Sequence, residues 1–300
     1  MFDSRATTTE FLDQPDCGPA LAAASCRLME TVNRHFGGIR VVRRFLAAET
    51  AGRPAGARLR ILDIGSGSCD IPLAVSRWAR ARDMRLHFTC LEKAGDMADM
   101  ARGRLARAGD RAVQLIQEDV FTHQPVEPYD FAVASMCFHH FDDAGILALL
   151  QRLRGFVRDS VLINDLRRSR LASLAVRLLM AGAGTPAGVR HDALLSIRRG
   201  FKITELNALL RQLGNATVSV ESARWFRIAA VIRFDGRRFP YTRRCGRSQR
   251  AVRVTGGGGK RLSRRPAVRY ADRWMAGVQS GMRETERQRA RPAEGAGHVP

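Results

Sequence analysis

The sequence predicts an α/β fold: a doubly wound, seven-stranded, mostly parallel sheet whose last two strands form an antiparallel hairpin. Three observations lead to this prediction. From residue 58 onward, short apolar runs alternate with amphipathic stretches, as strands and crossover helices do in a parallel sheet. The last two strand-like runs are separated only by a turn, which is too short for a parallel crossover. The length of 300 residues suits one such domain with additional segments.

The elements of the sheet follow one another in a regular order. Strands are predicted at residues 59–64, 86–92, 112–119, 129–136 and 160–166, and helices at 71–82, 95–108 and 143–156. A helical insertion is expected at 167–200, followed by a helix at 204–214 with Thr204 as its N-cap and Gly214 as its stop. The closing strands are "ATVSVES" and "RWFRIAAVIR", with a turn at Ala223 and Arg224.

The chain is predicted to have three parts. Residues 1–57 show helical spacing with a break at Gly37 and Gly38, which predicts an N-terminal helical cap and linker. Residues 58–234 form the main domain, with 167–200 as a lid over a substrate. Residues 235–300 lack periodicity and are rich in arginine, so we interpret them as a basic, disordered tail. That tail is either a non-conforming extension, which we favour, or a segment that binds nucleic acid or an anionic surface.

Composition restricts the class of protein. The net charge is +21, but the excess is concentrated in the tail, so it gives the main domain no clear nucleic-acid signature. The six cysteines show no CxxC pair, disulfide framework or metal-ligand spacing, which favours a reducing cytoplasm and predicts no metal site. The N-terminus lacks the pattern of a signal peptide. The longest apolar stretch is interrupted by Arg177 and Pro186, so no membrane span is expected.

The glycine-rich loop "DIGSGSCD" after the first strand is the strongest local signal. Gly65 and Gly67 would let a ligand approach the backbone closely. In a dinucleotide-binding loop the pyrophosphate lies at the helix N-terminus, but here Asp70 puts a negative charge there. Asp63 adds a second carboxylate at the end of the strand. The loop therefore favours a cationic ligand over a phosphate.

This loop resembles the D/E-x-G-x-G loop of the class I (Rossmann-like) S-adenosylmethionine-dependent methyltransferases. Glu92 and Asp119 end the next two strands, where the resemblance implies partners for ribose and adenine, with Glu118 as the fallback for Asp119. The resemblance covers residues 58–233 and implies S-adenosyl-L-methionine as cofactor. Cys69 departs from the pattern, because a third glycine is common there. The implied cofactor-binding residues are Asp63, Gly65, Ser66, Gly67, Asp70, Glu92, Lys93, Asp119, Val120, Ser135 and Met136.

Candidate catalytic residues are His139, His140 and His191. A histidine with a near-neutral pKa suits a base that ionises a phenolic acceptor. The alternatives are that the adjacent pair shapes the pocket and that His191 fixes a loop. Candidate substrate residues are Asn164, Asp165 and Arg167, at the end of the fifth strand. Leu171, Leu174, Leu178, Leu179 and Met180 form an apolar stripe, either ordinary core or the wall of an acceptor site.

The predicted function is methyl transfer to oxygen or carbon of a small, aromatic or polyketide-like acceptor. The chain is similar to small-molecule methyltransferases of quinone, polyketide and phenol pathways, which implies a role in secondary metabolism. The alternatives are a nucleic-acid methyltransferase and a non-catalytic homologue that binds the cofactor. We expect no stable nucleic-acid partner. The oligomeric state stays open, with a homodimer among the options.

Overall fold

The computed structural model describes residues 2–14, 17–54, 56–181 and 184–235. The predicted basic tail lies outside the described residues, apart from Asp235. None of the described helices is long and apolar enough to cross a membrane. The five cysteines within the described residues are free thiols.

Seven strands within the described residues form one sheet with the order β3-β2-β1-β4-β5-β7-β6. Their bounds are β1 Arg58–Ile64, β2 Arg85–Glu92, β3 Val113–Gln117, β4 Tyr129–Ser135, β5 Val157–Leu166, β6 Ala216–Ala223 and β7 Arg227–Phe234. β1 to β5 are parallel to one another, and β7 is antiparallel to both β5 and β6. This topology confirms the predicted fold class, including the antiparallel final hairpin.

The helices alternate with the strands as predicted and include two before β1. Their bounds are α1 Pro19–His35, α2 Gly38–Thr50, α3 Asp70–Arg80, α4 Gly95–Ala108, α5 Asp143–Leu153, α6 Arg170–Ala181, α7 Ala187–Arg199 and α8 Ile203–Leu210. The predicted insertion contains α6 and α7. One cap prediction is wrong: α8 starts at Ile203, and Lys202 precedes it with its backbone N–H 3.4 Å from a Glu205 carboxylate oxygen.

The strand order reverses between β1 and β4, which is where open α/β sheets bind ligands. The pairing register places Ile64 of β1 beside Leu91 of β2 and Ala134 of β4, so the three strands end at the same level. β1 and β4 are buried on both faces over most of their length, and β2 is buried on both faces at its end, residues 90–92. A core cluster that includes Leu62, Leu150 and Leu206 holds α5 and α8 against one face. The loops after β1, β2 and β4 therefore rest on a rigid edge.

The segment before α1 is attached to α7. The backbone N–H groups of Phe11 and Leu12 donate to the Asp192 carboxylate, each at 2.9 Å. The Arg199 guanidinium donates to the Thr8 carbonyl at 3.0 Å. These bonds hold residues of the N-terminal segment beside the short helical turn that follows β4.

The apolar stripe predicted on α6 faces mostly outward. Leu171, Leu174 and Leu178 are 66, 53 and 68% exposed, so they form neither a core nor the wall of an acceptor site. The last two residues of the stripe differ from these three: Met180 is buried, and Leu179 lines a cavity described below. The helix is apolar on more than one face, so leucine spacing identified Leu179 and Met180 correctly and included three leucines that face outward.

Candidate active site

A cavity of about 390 Å³, here called the cofactor pocket, opens at the carboxyl ends of β1, β2 and β4. Helix α1 covers one side of it through Met29 and Asn33. Every cofactor-side residue predicted from the sequence lines the pocket: Asp63, Gly65, Ser66, Gly67, Asp70, Glu92, Lys93, Asp119, Val120, Ser135 and Met136. Residues from four strand ends therefore meet in one place.

Gly65 and Gly67 both adopt left-handed backbone conformations, with φ of +61° and +52°. A Cβ at position 65 would lie 2.8 Å from the Cys137 sulfur, so a larger residue there would displace that side chain. The Gly67 N–H donates to a Glu92 carboxylate oxygen at 2.8 Å and ties the loop to the end of β2. The loop keeps an open backbone because both positions lack a side chain.

Cys69, the position that departs from the glycine pattern, also has a left-handed backbone, with φ of +57°. This conformation costs a residue that carries a Cβ roughly 1–2 kcal/mol. The Cys69 side chain is fully buried, and its Sγ lies 3.6 Å from the Ser66 hydroxyl. The thiol therefore packs inside the turn, while the backbone keeps the conformation that glycine prefers.

Two buried carboxyl groups give the pocket a negative character. Burial raises the pKa of Asp63 well above its usual value, and nearby acidic groups, including Asp70 and Glu92, raise it further. Burial also raises the pKa of Asp70, although the Asn33 amide donates to both of its oxygens, at 3.3 and 3.2 Å. The described residues form no ion pair with Asp63. A bound cation would stabilise the ionised forms of these carboxyl groups, whereas an anion would be repelled by them.

Glu92 and Asp119 lie on the other side of the pocket. The two Glu92 oxygens accept from the N–H groups of Gly67 and Ala94, at 2.8 and 3.0 Å. Each oxygen retains a second lone pair, which a ribose hydroxyl can use. Asp119 accepts from the Phe121 N–H at 2.9 Å and pairs with Lys93 at 2.9 Å.

A second cavity of about 100 Å³, here called the acceptor cavity, adjoins the cofactor pocket. Leu12, Met29, Met136 and His140 line both spaces. Its apolar wall comes from α1, α6 and α7 and includes Leu28, Val32, Val176, Leu179, Val189 and Ile197. Its polar wall consists of Glu10, His139, His140, Ser25, Asp192 and Ser196. Two binding spaces thus meet beside a pair of histidines.

His139 is buried between two carboxyl groups. Its Nδ1 lies 2.7 Å from Asp165 Oδ1, and its backbone N–H donates to the other Asp165 oxygen at 3.1 Å. Its Nε2 lies 3.7 Å from Glu10 Oε1. Burial alone would raise the pKa of Asp165, but His139 holds that pKa below its usual value. Asp165 therefore remains ionised and fixes the orientation of the imidazole.

His140 lies at the junction of the two cavities. Its ring centroid is 4.2 Å from that of His139, and its Nδ1 lies 2.9 Å from an Asp13 carboxylate oxygen. Burial would raise the pKa of Asp13, but the bond to His140 lowers it. Each imidazole in the pair thus has a carboxylate on its Nδ1 side.

The other candidate residues lie elsewhere. Asn164 and Asp165 are fully buried behind the site, so they are not at its mouth in contact with substrate as predicted. Arg167 donates to Ser222 at 2.8 Å and lines neither cavity. His191 also lines neither cavity, and its ring packs on Phe11 with a centroid distance of 4.7 Å. The structure therefore brings two of the three candidate histidines to the site.

Sequence reasoning missed Glu10, Asp13, Asn33 and Arg227. Arg227 is buried and donates to Asn33 Oδ1 at 2.9 Å, and its Nη2 lies 3.4 Å from Met136 Sδ. Burial lowers its pKa to about 10, so the guanidinium stays charged at neutral pH. A single arginine in the apolar run "RIAAVI" was the available signal. No sequence signal marked the other three residues, because only the fold brings Glu10, Asp13 and Asn33 to the site.

Comparisons with known proteins agree with this architecture. Residues 61–160 match the family model described as a methyltransferase domain. Among solved structures, the plantazolicin methyltransferase BpumL in complex with SAH is 12% identical, with a TM-score of 0.56. The plantazolicin methyltransferase BamL, in complex with SAH and a desmethylPZN analog, is 15% identical, also with a TM-score of 0.56. In both comparisons 75% of this chain and 94% of the other are covered. No curated protein matches the sequence.

The matched residues contain the second half of β1, β2 to β4, the glycine-rich loop and both histidines, so the family model covers most of the cofactor pocket. The structural neighbours extend the likeness in fold to 75% of this chain. The resemblance stated from the sequence is confirmed at this level: residues 61–160 match a methyltransferase domain, and the chain has the fold of methyltransferases that were crystallised with SAH.

Proposed function

We propose that this enzyme transfers a methyl group to the oxygen of a small, largely apolar acceptor, such as a phenol or quinol, bound in the acceptor cavity. The observation that carries the proposal is that a pocket with buried carboxyl groups and an apolar cavity share the walls formed by Met136 and His140. An acceptor in the second space would present its reacting atom to a cofactor in the first.

The residues of the cofactor pocket fit S-adenosylmethionine. This cofactor carries an ammonium and a sulfonium, and when bound it supplies an activated methyl group. Asp63 and Asp70 provide the negative potential that such charges need. Glu92, Asp119 and Val120 line the pocket, and we assign Glu92 to the ribose hydroxyls and Asp119 and Val120 to adenine. Arg227 acts as a positioning residue, because it holds Asn33 and Met136 at the border of the pocket.

The acceptor cavity indicates the size and chemistry of the acceptor. A cavity of about 150 Å³ accommodates benzene, so a cavity of about 100 Å³ would admit one small ring with a small outward movement of its wall, for which α6 is the partly exposed element. Its walls are mainly apolar, and its polar groups cluster around the histidine pair. We assign to His139 and His140 the task of favouring the ionised form of the acceptor hydroxyl. Alignment of the reactants in a site shielded from water can supply about 7–11 kcal/mol.

The acceptor of the plantazolicin methyltransferases does not carry over, because identities of 12 and 15% establish a shared fold alone. The choice of acceptor class rests on the cavity. The proposal predicts that enlarging a side chain in the cavity wall blocks methyl transfer without affecting cofactor binding.

Val176 on α6 offers the sharpest test, because it lines the acceptor cavity and not the cofactor pocket. The wild-type enzyme is first screened with methyl-labelled S-adenosylmethionine against phenols, quinols and polyketides. With the accepted substrate, Val176→Phe should reduce transfer at least about tenfold and change the Kd of S-adenosylhomocysteine less than about twofold. Leu174→Phe is the matched control, because Leu174 is exposed on the same helix. Full transfer by Val176→Phe would place the acceptor elsewhere.

A further inference from the structure

Three potential metal ligands converge at the wall of the acceptor cavity. Glu10, His139 and His140 each offer one ligand atom, and these atoms lie within 4.8 Å of one another. The three residues come from the segment before α1 and from the turn after β4, so their spacing in the sequence gives no metal signature. The Nε2 of His139 is already 3.7 Å from Glu10 Oε1. In a tetrahedral zinc site with bonds of about 2.0–2.1 Å, neighbouring ligands are roughly 3.3–3.5 Å apart.

The hydrogen bonds behind the two imidazoles match those of metal sites. Histidines that bind metals commonly engage a carboxylate through their other ring nitrogen, which fixes the tautomer and the orientation of the ring. Here Asp165 lies 2.7 Å from Nδ1 of His139, and Asp13 lies 2.9 Å from Nδ1 of His140. This leaves Nε2 of each imidazole as the ligand atom. Binding of one ion by both histidines would explain why each of these adjacent residues has its own carboxylate partner.

The third ligand, Glu10, is a buried carboxyl group without a cationic lysine or arginine bonded to it among the described residues. It is 3% exposed, and the Ser196 hydroxyl donates to its Oε1 at 2.8 Å. Its ion-pair partner within the described part of the chain is His139. Burying a carboxylate is costly unless a charge of opposite sign is near, and a divalent cation would supply that charge.

We propose that Glu10, His139 and His140 bind one divalent transition-metal ion, with zinc as the best match for two imidazoles and one carboxylate. Three protein ligands leave a fourth position open, as in catalytic zinc sites, and here it faces the acceptor cavity. The inference deepens the proposed function. The catalytic consequence of the metal rests on that function: an acceptor hydroxyl bound to the ion would release its proton to water more readily. Metal binding itself does not depend on the identity of the acceptor.

The experiment uses the full chain, stripped with a chelator, dialysed, and titrated with Zn²⁺ by calorimetry and with Co²⁺ by visible absorption. We expect one site that Glu10→Gln and His140→Gln each weaken at least tenfold, with loss of the Co²⁺ absorption band. Asp165→Asn should weaken binding about 10–100-fold through the orientation of His139. His87→Gln is the matched control, because His87 is exposed on β2 and lies outside both cavities.

Circular dichroism and cooperative thermal unfolding establish that each variant is folded. If the wild type binds no Zn²⁺, or if the folded Glu10→Gln and His140→Gln variants bind it as tightly as wild type, the inference is wrong. Methyl transfer that is unaffected by the chelator would retain the proposed function and refute the catalytic consequence of the metal. Metal binding that requires the three ligands, without methylation of any phenol or quinol, would support the site and overturn the acceptor proposal.

Discussion

Cys69 allows a direct test of backbone strain in the cofactor loop. Its left-handed backbone, with φ of +57° and ψ of +25°, costs a residue with a Cβ about 1–2 kcal/mol. The variants Cys69→Gly and Cys69→Ala both remove the sulfur, and they differ only in the Cβ. Glycine in turn loses about 0.5–1 kcal/mol more in chain entropy on folding. The two ranges leave Cys69→Gly more stable than Cys69→Ala by up to about 1.5 kcal/mol, and by about 0.75 kcal/mol at their midpoints.

Thermal unfolding monitored by circular dichroism measures this difference. A change of 1 kcal/mol shifts the Tm by about 2–4 °C for a domain of this size, so Cys69→Ala should unfold about 2 °C below Cys69→Gly. At an ordinary helical position the order reverses: Ala47→Gly, at an exposed site in α2, should lower the Tm. Cys69→Gly should also bind S-adenosylhomocysteine at least as tightly as wild type. A Tm of Cys69→Ala above that of Cys69→Gly would refute the assignment of strain.

Two further predictions concern the acids of the cofactor pocket. Glu92→Gln should weaken S-adenosylhomocysteine binding by about 10–100-fold in calorimetry, because a hydrogen bond to a charged group is worth about 1.5–3 kcal/mol. Glu127→Gln is the control, because Glu127 is exposed and does not line the cofactor pocket, and an equal effect of both variants would contradict the ribose assignment. Burial raises the pKa of Asp63 in the folded, cofactor-free protein. The stability that Asp63 contributes is therefore fully present below the usual pKa of 3.8, and it is lost as the pH rises through the folded-state pKa. Asp63→Asn should therefore raise the Tm at pH 7 but not near pH 3.5, and should weaken cofactor binding; a lower Tm at pH 7 would contradict this reasoning.

The cofactor side of the site was predictable because each of its parts is local. A glycine loop or an acid at a strand end appears in the sequence beside the apolar run that places it. Parallel pairing then brings the ends of β1, β2 and β4 to one level, as the pairing of Ile64 with Leu91 and Ala134 shows. The fold and the lining of the pocket thus followed from apolar periodicity and from the residues at strand ends.

The acceptor side depends on contacts between distant segments, and its predictions were weaker for that reason. Asn164 and Asp165 were expected at the mouth of the site because they end a strand. The predicted end of this strand at residue 166 agrees with the structure, but Asn164 and Asp165 pair with Ala229 and Ile228 of β7 and are fully buried, which the sequence did not indicate. The role of Asp165 in holding His139 could not be inferred without knowing that the turn after β4 folds back onto β5.

The segment before α1 contributes to the site through contacts with α7 that no sequence motif indicates. Its position depends on Asp192 and Arg199 of α7, which bind the backbone at Phe11, Leu12 and Thr8. Arg199 also donates to the backbone carbonyls of both histidines, at 3.1 and 2.7 Å. One arginine therefore fixes the N-terminal segment and the histidine turn relative to each other. The distance between Glu10 and the imidazoles is set by α7, so the inserted helices determine the chemistry of the acceptor cavity as well as its walls.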